Sequence, residues 1–419
     1  MIVDKIRSLY EAKREIPRGN PTGSRFGACA AQLQFLLYPE VSKPEPRPPR
    51  ALMVMEEGRM IEEWWRKRLD EVYAKRAGAW VGLRGEPFYF PVPLSPKEAE
   101  AAWRKIEGRI LWGTILPEFE PPKIWSENGK ILTRLLPCRK CDRGRRDHGW
   151  PCGKRIGLVL DEAAQTLWCP TYIDRAVLDP DYGLTVVEEK AVSSFQFRRM
   201  VAGTVDYDKR CQLAGEAAAT GLDPLWLVYR KDTAHLAEIL FSRKVERVRV
   251  EITKPNGLKE IYIAQDGRLA SPDGQKFPDD SLWETAEVWT PFDPAILEQI
   301  RTRIRLVVTA TPSGPWHREY GPDFTCPTCH GTTVQSYRKG STTPLKSPKP
   351  CEECQAGVLE EARLPAFPCG YCSVVKTCWP TARLEVTDKP VYWVRRGDVE
   401  RSGVVVTPLE PMDLVTIPS

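Results

Sequence analysis

The chain has 419 residues, 42% of them hydrophobic and 14 of them Trp, which is enough for two or three domains or one large elaborated domain with a real core. Its 61 basic and 56 acidic residues leave a net charge of +5, so an anionic partner must be met by local patches, and a global steering field is excluded. No apolar run reaches membrane-spanning length and the opening MIVDKIRSLYEAKREIP lacks the apolar core of a signal peptide, so no membrane partner and a cytoplasmic location are expected.

In chain order, residues 24–38 (SRFGACAAQLQFLLY) have the apolar spacing of a short helix and carry Cys29. The Pro-rich KPEPRPPR at 43–50 reads as a connector that cannot be helical. In EEGRMIEEWWRKRLDEVYAKRAG, Ile61, Trp64, Trp65, Leu69 and Val72 fall on one helical stripe, with Gly78 as the stop. Glu62 lies at the edge of that stripe, the usual place of a solvated boundary carboxylate, whereas a functional Glu there would look inward. Residues 86–136 read as strands and loops. From 138 to 155, CRKCDRGRRDHGWPCGKR sets seven Arg or Lys against two Asp, a basic insertion studded with cysteine.

Two β-rich runs follow, TLWCPTYIDRAVL and LTVVEEKAVS, joined by the turn residues DPDYG into an expected antiparallel hairpin. DYDKRCQLAGEAAATG is a helix with Gln212 and Glu216 one turn apart on one face and Cys211 as a small buried thiol, and DPLWLVYRKDT returns as an apolar strand. Residues 244–292 alternate apolar residues with turns and read as a small β insertion. DPAILEQIRTRIRLVV is an amphipathic helix capped by Asp293, with Ile296, Ile300, Ile304 and Val307 inward. After Pro380, VYWVRRGDVE and SGVVVTPLE form a β-rich tail.

The hairpin carries the chemistry. Side chains alternate along a strand, so Val186, Glu188 and Lys190 share one face and Val187, Glu189 and Ala191 the other. Asp174, on the preceding strand, can stand beside Glu188 and offer a hard cation such as Mg2+ or Mn2+ two carboxylate ligands. Lys190 then lies next to the metal-bound water, which is the arrangement that metal-dependent phosphodiester hydrolysis needs. A charged face between Val-, Leu- and Ile-rich strands is costly unless it has ligands or partners.

Thirteen cysteines without a signal peptide point to metal rather than disulfides. Cys326-x2-Cys329 and Cys351-x2-Cys354 have zinc-ribbon spacing, with a flexible basic loop (Arg338, Lys339, Lys346, Lys349) that either contacts DNA or is simply solvated. Cys138, Cys141 and Cys152 supply three ligands of a second zinc site, with Cys169 or His148 as the fourth and Cys169 preferred. Cys29 and the late Cys369, Cys372 and Cys378 form a clasp whose four thiolates suit either a 4Fe-4S cluster or Zn2+.

On these residues the chain resembles a PD-(D/E)XK nuclease of the RecB-like branch, in the subset with an iron-sulfur cluster. The resemblance rests on SRFGAC ending at Cys29, the G-x-x-x-E of Gly58 to Glu62, the Y-I-D of Asp174, the V-V-E-E-K of Glu188 to Lys190, Gln212, and CGYCSVVKTC from Cys369 to Cys378. It implies an α/β fold with a restriction-endonuclease-like core, a mixed sheet flanked by helices, with zinc-binding insertions. It also implies that Asp174 and Glu188 are metal ligands, with the backbone carbonyl of Glu189 completing the shell. Lys190 is then the catalytic lysine, Glu62 the helix residue near the metal, and Gln212 the residue that steadies the site and DNA. The clasp becomes a 4Fe-4S site. Relatives with Gln-x-x-x-Tyr have a Tyr where this chain has Glu216, and the interval from Glu62 to Asp174 is long.

The expected organisation is an N-terminal helical part (1–80), an insertion with the basic zinc segment (81–170), the catalytic core (171–310) with its β insertion (244–292), a zinc ribbon (311–365), the cluster segment (366–382) and a β-rich tail (383–419). The expected activity is that of a DNA nuclease, more an exonuclease than an endonuclease, in phage or bacterial DNA processing, with DNA and a helicase or recombination protein as partners. The other reading is a non-catalytic nucleic-acid-binding protein that keeps the fold and its metal staples.

Overall fold

Helix α1 (Ala30–Leu37) begins directly after Cys29, which occupies its N-cap position, and buries Ala31, Leu33, Phe35 and Leu36. This is a computed structural model, and with short interruptions it describes residues 21–136, 157–231, 248–264, 285–319, 334–350, 358–364 and 369–406. The long helix α2 spans Pro49–Lys75, so the Pro-rich connector ends earlier than expected. Proline is accepted there because first-turn N–H groups have no intrahelical acceptor to lose. Leu69 of the expected α2 stripe is half buried, but Val72 at its end is not inward. Val72 is 57% exposed, while Glu62, Arg66, Leu69 and Tyr73, at i, i+4, i+7 and i+11, are half buried.

Strands β1 (Trp80–Gly82) and β2 (Pro87–Pro93) lead into helix α3 (Pro96–Glu107), where strands and loops were expected. A capping box starts this helix: the Glu98 N–H donates to Ser95 Oγ, and the Ser95 N–H donates to the Glu98 carboxylate at 2.7 Å. There follow β3 (Gly113–Leu116), the antiparallel pair β4 (Lys123–Glu127) and β5 (Lys130–Arg134), then β6 (Leu158–Asp161), β7 (Thr166–Tyr172), β8 (Arg175–Asp179) and β9 (Gly183–Ser193). TLWCPTYIDRAVL is therefore two strands, broken at Ile173 and Asp174. Helices α4 (Ser194–Val201) and α5 (Tyr207–Thr220) precede β10 (Pro224–Lys231). Beyond β11 (Val248–Thr253) and β12 (Lys259–Ala264), which pair with each other, comes β13 (Thr285–Trp289) and then helix α6 (Pro294–Thr309). Asp293 caps α6 by accepting from the Ala295 and Ile296 N–H groups, and Ile296, Ile300, Ile304 and Val307 are buried, as expected.

The class is mixed α/β. One sheet runs β1-β8-β9-β10-β13 and a second β2-β7-β6-β3. β8 and β9 pair antiparallel as the expected hairpin, and β10 lies parallel to β9. Two boundaries shift as a result. β13 falls within the expected small β insertion yet pairs antiparallel with β10 as the outer strand of the core sheet. Likewise, 81–170 is less an appended insertion than half of the core: Phe90, Val92, Leu158, Leu160 and Leu167 from the second sheet pack with Ala214 of α5 and Ile300 and Ile304 of α6.

Two glycines lock the N-terminal segment onto α5. A Cβ at Gly27 would lie 2.5 Å from Asp208 Cα, and one at Gly215 would lie 2.7 Å from Phe26, whose ring meets Phe90 edge-on at 5.1 Å. Further on, β14 (Val334–Tyr337) and β15 (Pro344–Pro350) form a hairpin within the loop expected to be flexible. β16 (Glu361–Arg363), β17 (Arg383–Val386) and β18 (Pro390–Arg395) form a sheet in the order β16-β18-β17, so the tail recruits residues from before the cluster segment. No described helix is long and apolar enough to cross a membrane.

Candidate active site

The site is built on one half-paired strand. β8 accompanies β9 only as far as the Arg175–Val187 pair, whereas β10 continues alongside to Ser193. Beyond Val187 one edge of β9 therefore has no neighbouring strand among the described residues. Two carboxylates take its N–H groups. Asp174 lies at the break just before β8, rather than within a strand, and its Oδ2 accepts from the Glu189 N–H at 3.0 Å. Glu62 on α2 reaches in from the helix, and its Oε1 accepts from the Ala191 N–H at 3.4 Å. Glu62 is thus inward, and α2 presents a polar stripe because it covers a charged sheet edge. N–H and C=O of one strand residue point to the same side, so the Glu189 carbonyl also faces this edge.

The two faces of β9 hold different chemistry. On one, Glu188 is 3% exposed and accepts a hydrogen bond from Gln212 Nε2 of α5, while Lys190 Nζ lies 3.4 Å from its Oε1. Gln212 also donates to Glu216 Oε1 at 3.1 Å, and Glu216 is fully buried. Lys190 stands over the buried Trp226 ring, 5.9 Å from its centroid. On the other face the Glu189 carboxylate is fully buried beside Arg175 at 2.5 Å and Arg66 at 3.7 Å, and Arg175 continues to Asp70 at 2.9 Å. The Glu189 side chain therefore anchors α2 and β8, and only its backbone faces the site. Burial pushes its carboxyl up to about 7 against the pull of Arg175.

The Glu188 face carries excess negative charge. Burial raises Glu188, and Asp174 and Glu216 raise it further, against the opposing Lys190. Glu216 is pushed up to about 8, first by burial and then by Asp174. Burial also raises Glu62, with Lys190 opposing. Burial pulls the Lys190 ammonium down, but Glu188, Glu62, Asp174 and Glu216 outweigh it and hold the ammonium above its ordinary value. Oε2 of Glu188 and Oε2 of Glu216 are buried without a hydrogen-bond partner. Two adjacent carboxylates in that state need a cation or a proton. The residues fit a hard divalent cation supported by Asp174, Glu188, the Glu189 carbonyl and water. Among the described residues no three Cys, His, Asp or Glu side chains stand close enough to clasp a single ion by themselves.

The clasp cysteines also meet. Cys29, Cys369, Cys372 and Cys378 line one cavity with Val374, Val375 and Trp379, and Tyr392 and Val394 of the tail pack against the same cluster. The Cys369 thiol is raised by burial and by the three other cysteines. Residues 316–319 strap this region to the rest. Trp316 stacks on Phe35 at 4.3 Å, the His317 N–H donates to Gln34 at 2.8 Å, and Arg318 Nε donates to the Cys378 carbonyl at 3.1 Å. Glu319 accepts from the Ala30 N–H at 2.6 Å and pairs with the buried Arg303 of α6, which in turn donates to Tyr207 Oη of α5 at 2.7 Å.

Cys169 is fully buried in the middle of β7, among Phe90, Leu158 and Leu167, where burial alone raises its thiol. Among the described residues it packs there as a small apolar side chain. Cys211 is buried on α5 as expected. Cys138, Cys141, Cys152, His148, Cys326, Cys329, Cys351 and Cys354 lie outside the described residues. Sequence reasoning missed Arg175 and the site role of Glu216, although the one-turn spacing of Glu216 from Gln212 was the available signal. No family model, curated protein or solved structure matches this chain.

Proposed function

We propose that the chain is a Mg2+- or Mn2+-dependent DNA nuclease of the PD-(D/E)XK superfamily, from the RecB-like branch with an iron-sulfur clasp. It acts as an exonuclease in phage or bacterial DNA processing, recombination or repair, alongside a helicase or recombination partner. The observation that supports this best is the gathering of Asp174, Glu188, Lys190, Gln212 and Glu62 around the open edge of β9. Asp174, Glu188 and the Glu189 carbonyl would hold the metal, which when bound supplies Lewis acidity and a more acidic water. Lys190 presents an ammonium to orient the attacking water and to offset charge developing on the phosphate. Gln212 fixes the Glu188 carboxylate, and Glu62 lines the edge opposite it.

Cys29, Cys369, Cys372 and Cys378 would hold a 4Fe-4S cluster with a structural role. The four thiols line one cavity, which would suit a cluster or zinc, and the resemblance to iron-sulfur nucleases favours the cluster. Structural Zn2+ is proposed for Cys326, Cys329, Cys351 and Cys354, and for Cys138, Cys141 and Cys152. The fourth ligand of the latter would be Cys169 or His148. The intact Asp174, Glu188 and Lys190 argue against a non-catalytic binding role, which has no need of a buried carboxylate beside an ammonium.

The test incubates labelled linear, circular and single-stranded DNA with Mg2+ or Mn2+, beside Lys190→Ala. Degradation of linear DNA that falls by roughly a hundredfold or more in the variant is expected, in line with the loss of one charged group in the transition state. Equal cleavage by wild type and variant means contamination and overturns the reading.

A further inference from the structure

The geometry points to Glu216 as a carboxylate of the metal site itself: it faces Glu188 across an inner subsite for a hard divalent cation, in the position where relatives carry Tyr. The inference rests on the nuclease reading and deepens it. Glu216 is 0% exposed and Glu188 3%, yet among the described residues one oxygen of each is buried with no hydrogen-bond donor apart from the facing carboxyl, whose proton would serve it when no cation is bound. Both of their other oxygens are already served by the same Gln212 amide nitrogen. Gln212 thus sets the two carboxylates side by side with their unserved oxygens left over. The only cation at ion-pair distance from either among the described residues is Lys190, on Glu188 Oε1.

A structural glutamate buried this deeply carries a partner for each oxygen, because an unpaired buried carboxylate is strongly disfavoured. Around Lys190 stand four carboxyl groups, Glu62, Asp174, Glu188 and Glu216, a formal charge of −3 once cation binding has displaced their protons. One divalent ion leaves that group negative where a phosphodiester must approach, while a second, inner ion reverses the sign. Hard oxygen ligands select Mg2+ or Mn2+ over softer metals. Tyr at this position would supply one neutral hydroxyl, whereas Glu supplies a charged oxygen ligand.

The test titrates the full-length metal-free chain with Mn2+, following binding by electron paramagnetic resonance and stability by thermal melting. Wild type, Glu216→Gln and Asp174→Asn are compared. Glu216→Gln is expected to lose Mn2+ affinity at least tenfold and to lose most of the Mn2+-induced rise in melting temperature. Its metal-free melting temperature holds or increases, since the new amide can donate to the unserved Glu188 oxygen. Mn2+ binding by Glu216→Gln equal to wild type, with a raised metal-free melting temperature, would mean that the two carboxylates merely share a proton. In that outcome Glu216 is removed from the metal site, and the nuclease reading stands as long as Asp174→Asn weakens binding. A wild-type chain that binds no Mn2+ brings down both. If Glu216→Gln does not fold, Glu216→Asp, which keeps the charge but withdraws it by one methylene, carries the same test: wild-type affinity overturns the inference and weakened affinity supports it.

Discussion

Replacing Arg303 by Met keeps the hydrocarbon stem and removes the guanidinium from a pair in which both side chains are 3% exposed. Arg303 Nε donates to both Glu319 oxygens at 2.9 and 3.0 Å, and Nη2 donates to Oε2 at 2.6 Å. The substitution leaves Glu319 with the Ala30 N–H and strands a buried carboxylate. Breaking one side of a buried ion pair costs about 3–5 kcal/mol. The lost bonds to Tyr207 Oη and the Phe26 carbonyl are neutral-acceptor contacts worth about 1 kcal/mol each, so the stranded charge dominates. The double variant Arg303→Met, Glu319→Gln removes that charge and is expected to regain about 2 kcal/mol. Equilibrium urea unfolding of the three proteins at pH 7 reads these differences. A single variant within about 1 kcal/mol of wild type, or a double variant no more stable than the single, refutes the argument that this pair is a dry, mutually dependent unit.

Further outcomes concern the site and its supports. With metal chelated, the folded chain holds a proton on Glu216 up to about pH 8, which the unfolded chain has released by about pH 5. Stability should therefore fall as pH rises across that window, by up to about 1.4 kcal/mol per unit, and Glu216→Gln should flatten the slope; an unchanged slope in the variant contradicts the assignment. Gly215→Ala improves helix propensity yet drives a Cβ to 2.7 Å from the Phe26 ring, so urea unfolding should show a net loss of about 1–2 kcal/mol, and a gain would mean that Phe26 yields freely. Cys29→Ala should lose the brown absorbance of the purified chain and much of its folded yield, whereas a colourless, fully active wild type rules out the cluster.

Where local chemistry decides structure, the sequence was legible. DPDYG forced the β8–β9 hairpin, Asp293 capped α6, and the period of DYDKRCQLAGEAAATG delivered α5 with Gln212 and Glu216 on one face. Other elements were misread for identifiable reasons. Alternation cannot tell which sheet a strand joins, so the break at Asp174, which creates the open edge, was hidden inside one apolar run. Counting apolar residues on α2 placed Val72 inward and left Glu62 at the boundary, because a helix that covers buried charges also turns Glu62 and Arg66 inward. Pro49 read as a breaker although a helix start tolerates it, and the capping box of α3 stood in plain text at Ser95 and Glu98. The partners of Glu216 depend on a fold-level meeting of α5 and β9 that spacing alone does not specify.

The strap at residues 316–319 couples the cysteine cavity mechanically to helix α5. Consecutive Cα atoms are about 3.8 Å apart, so a backbone shift at Arg318, which donates to the Cys378 carbonyl, is passed to Glu319 and its partners Arg303 and Ala30. Arg303 in turn holds Tyr207, at the start of the helix that carries Gln212. Oxidative damage confined to the cysteines would thus be felt at Glu188 within a few contacts, through the same residues that hold the N-terminal helix in place.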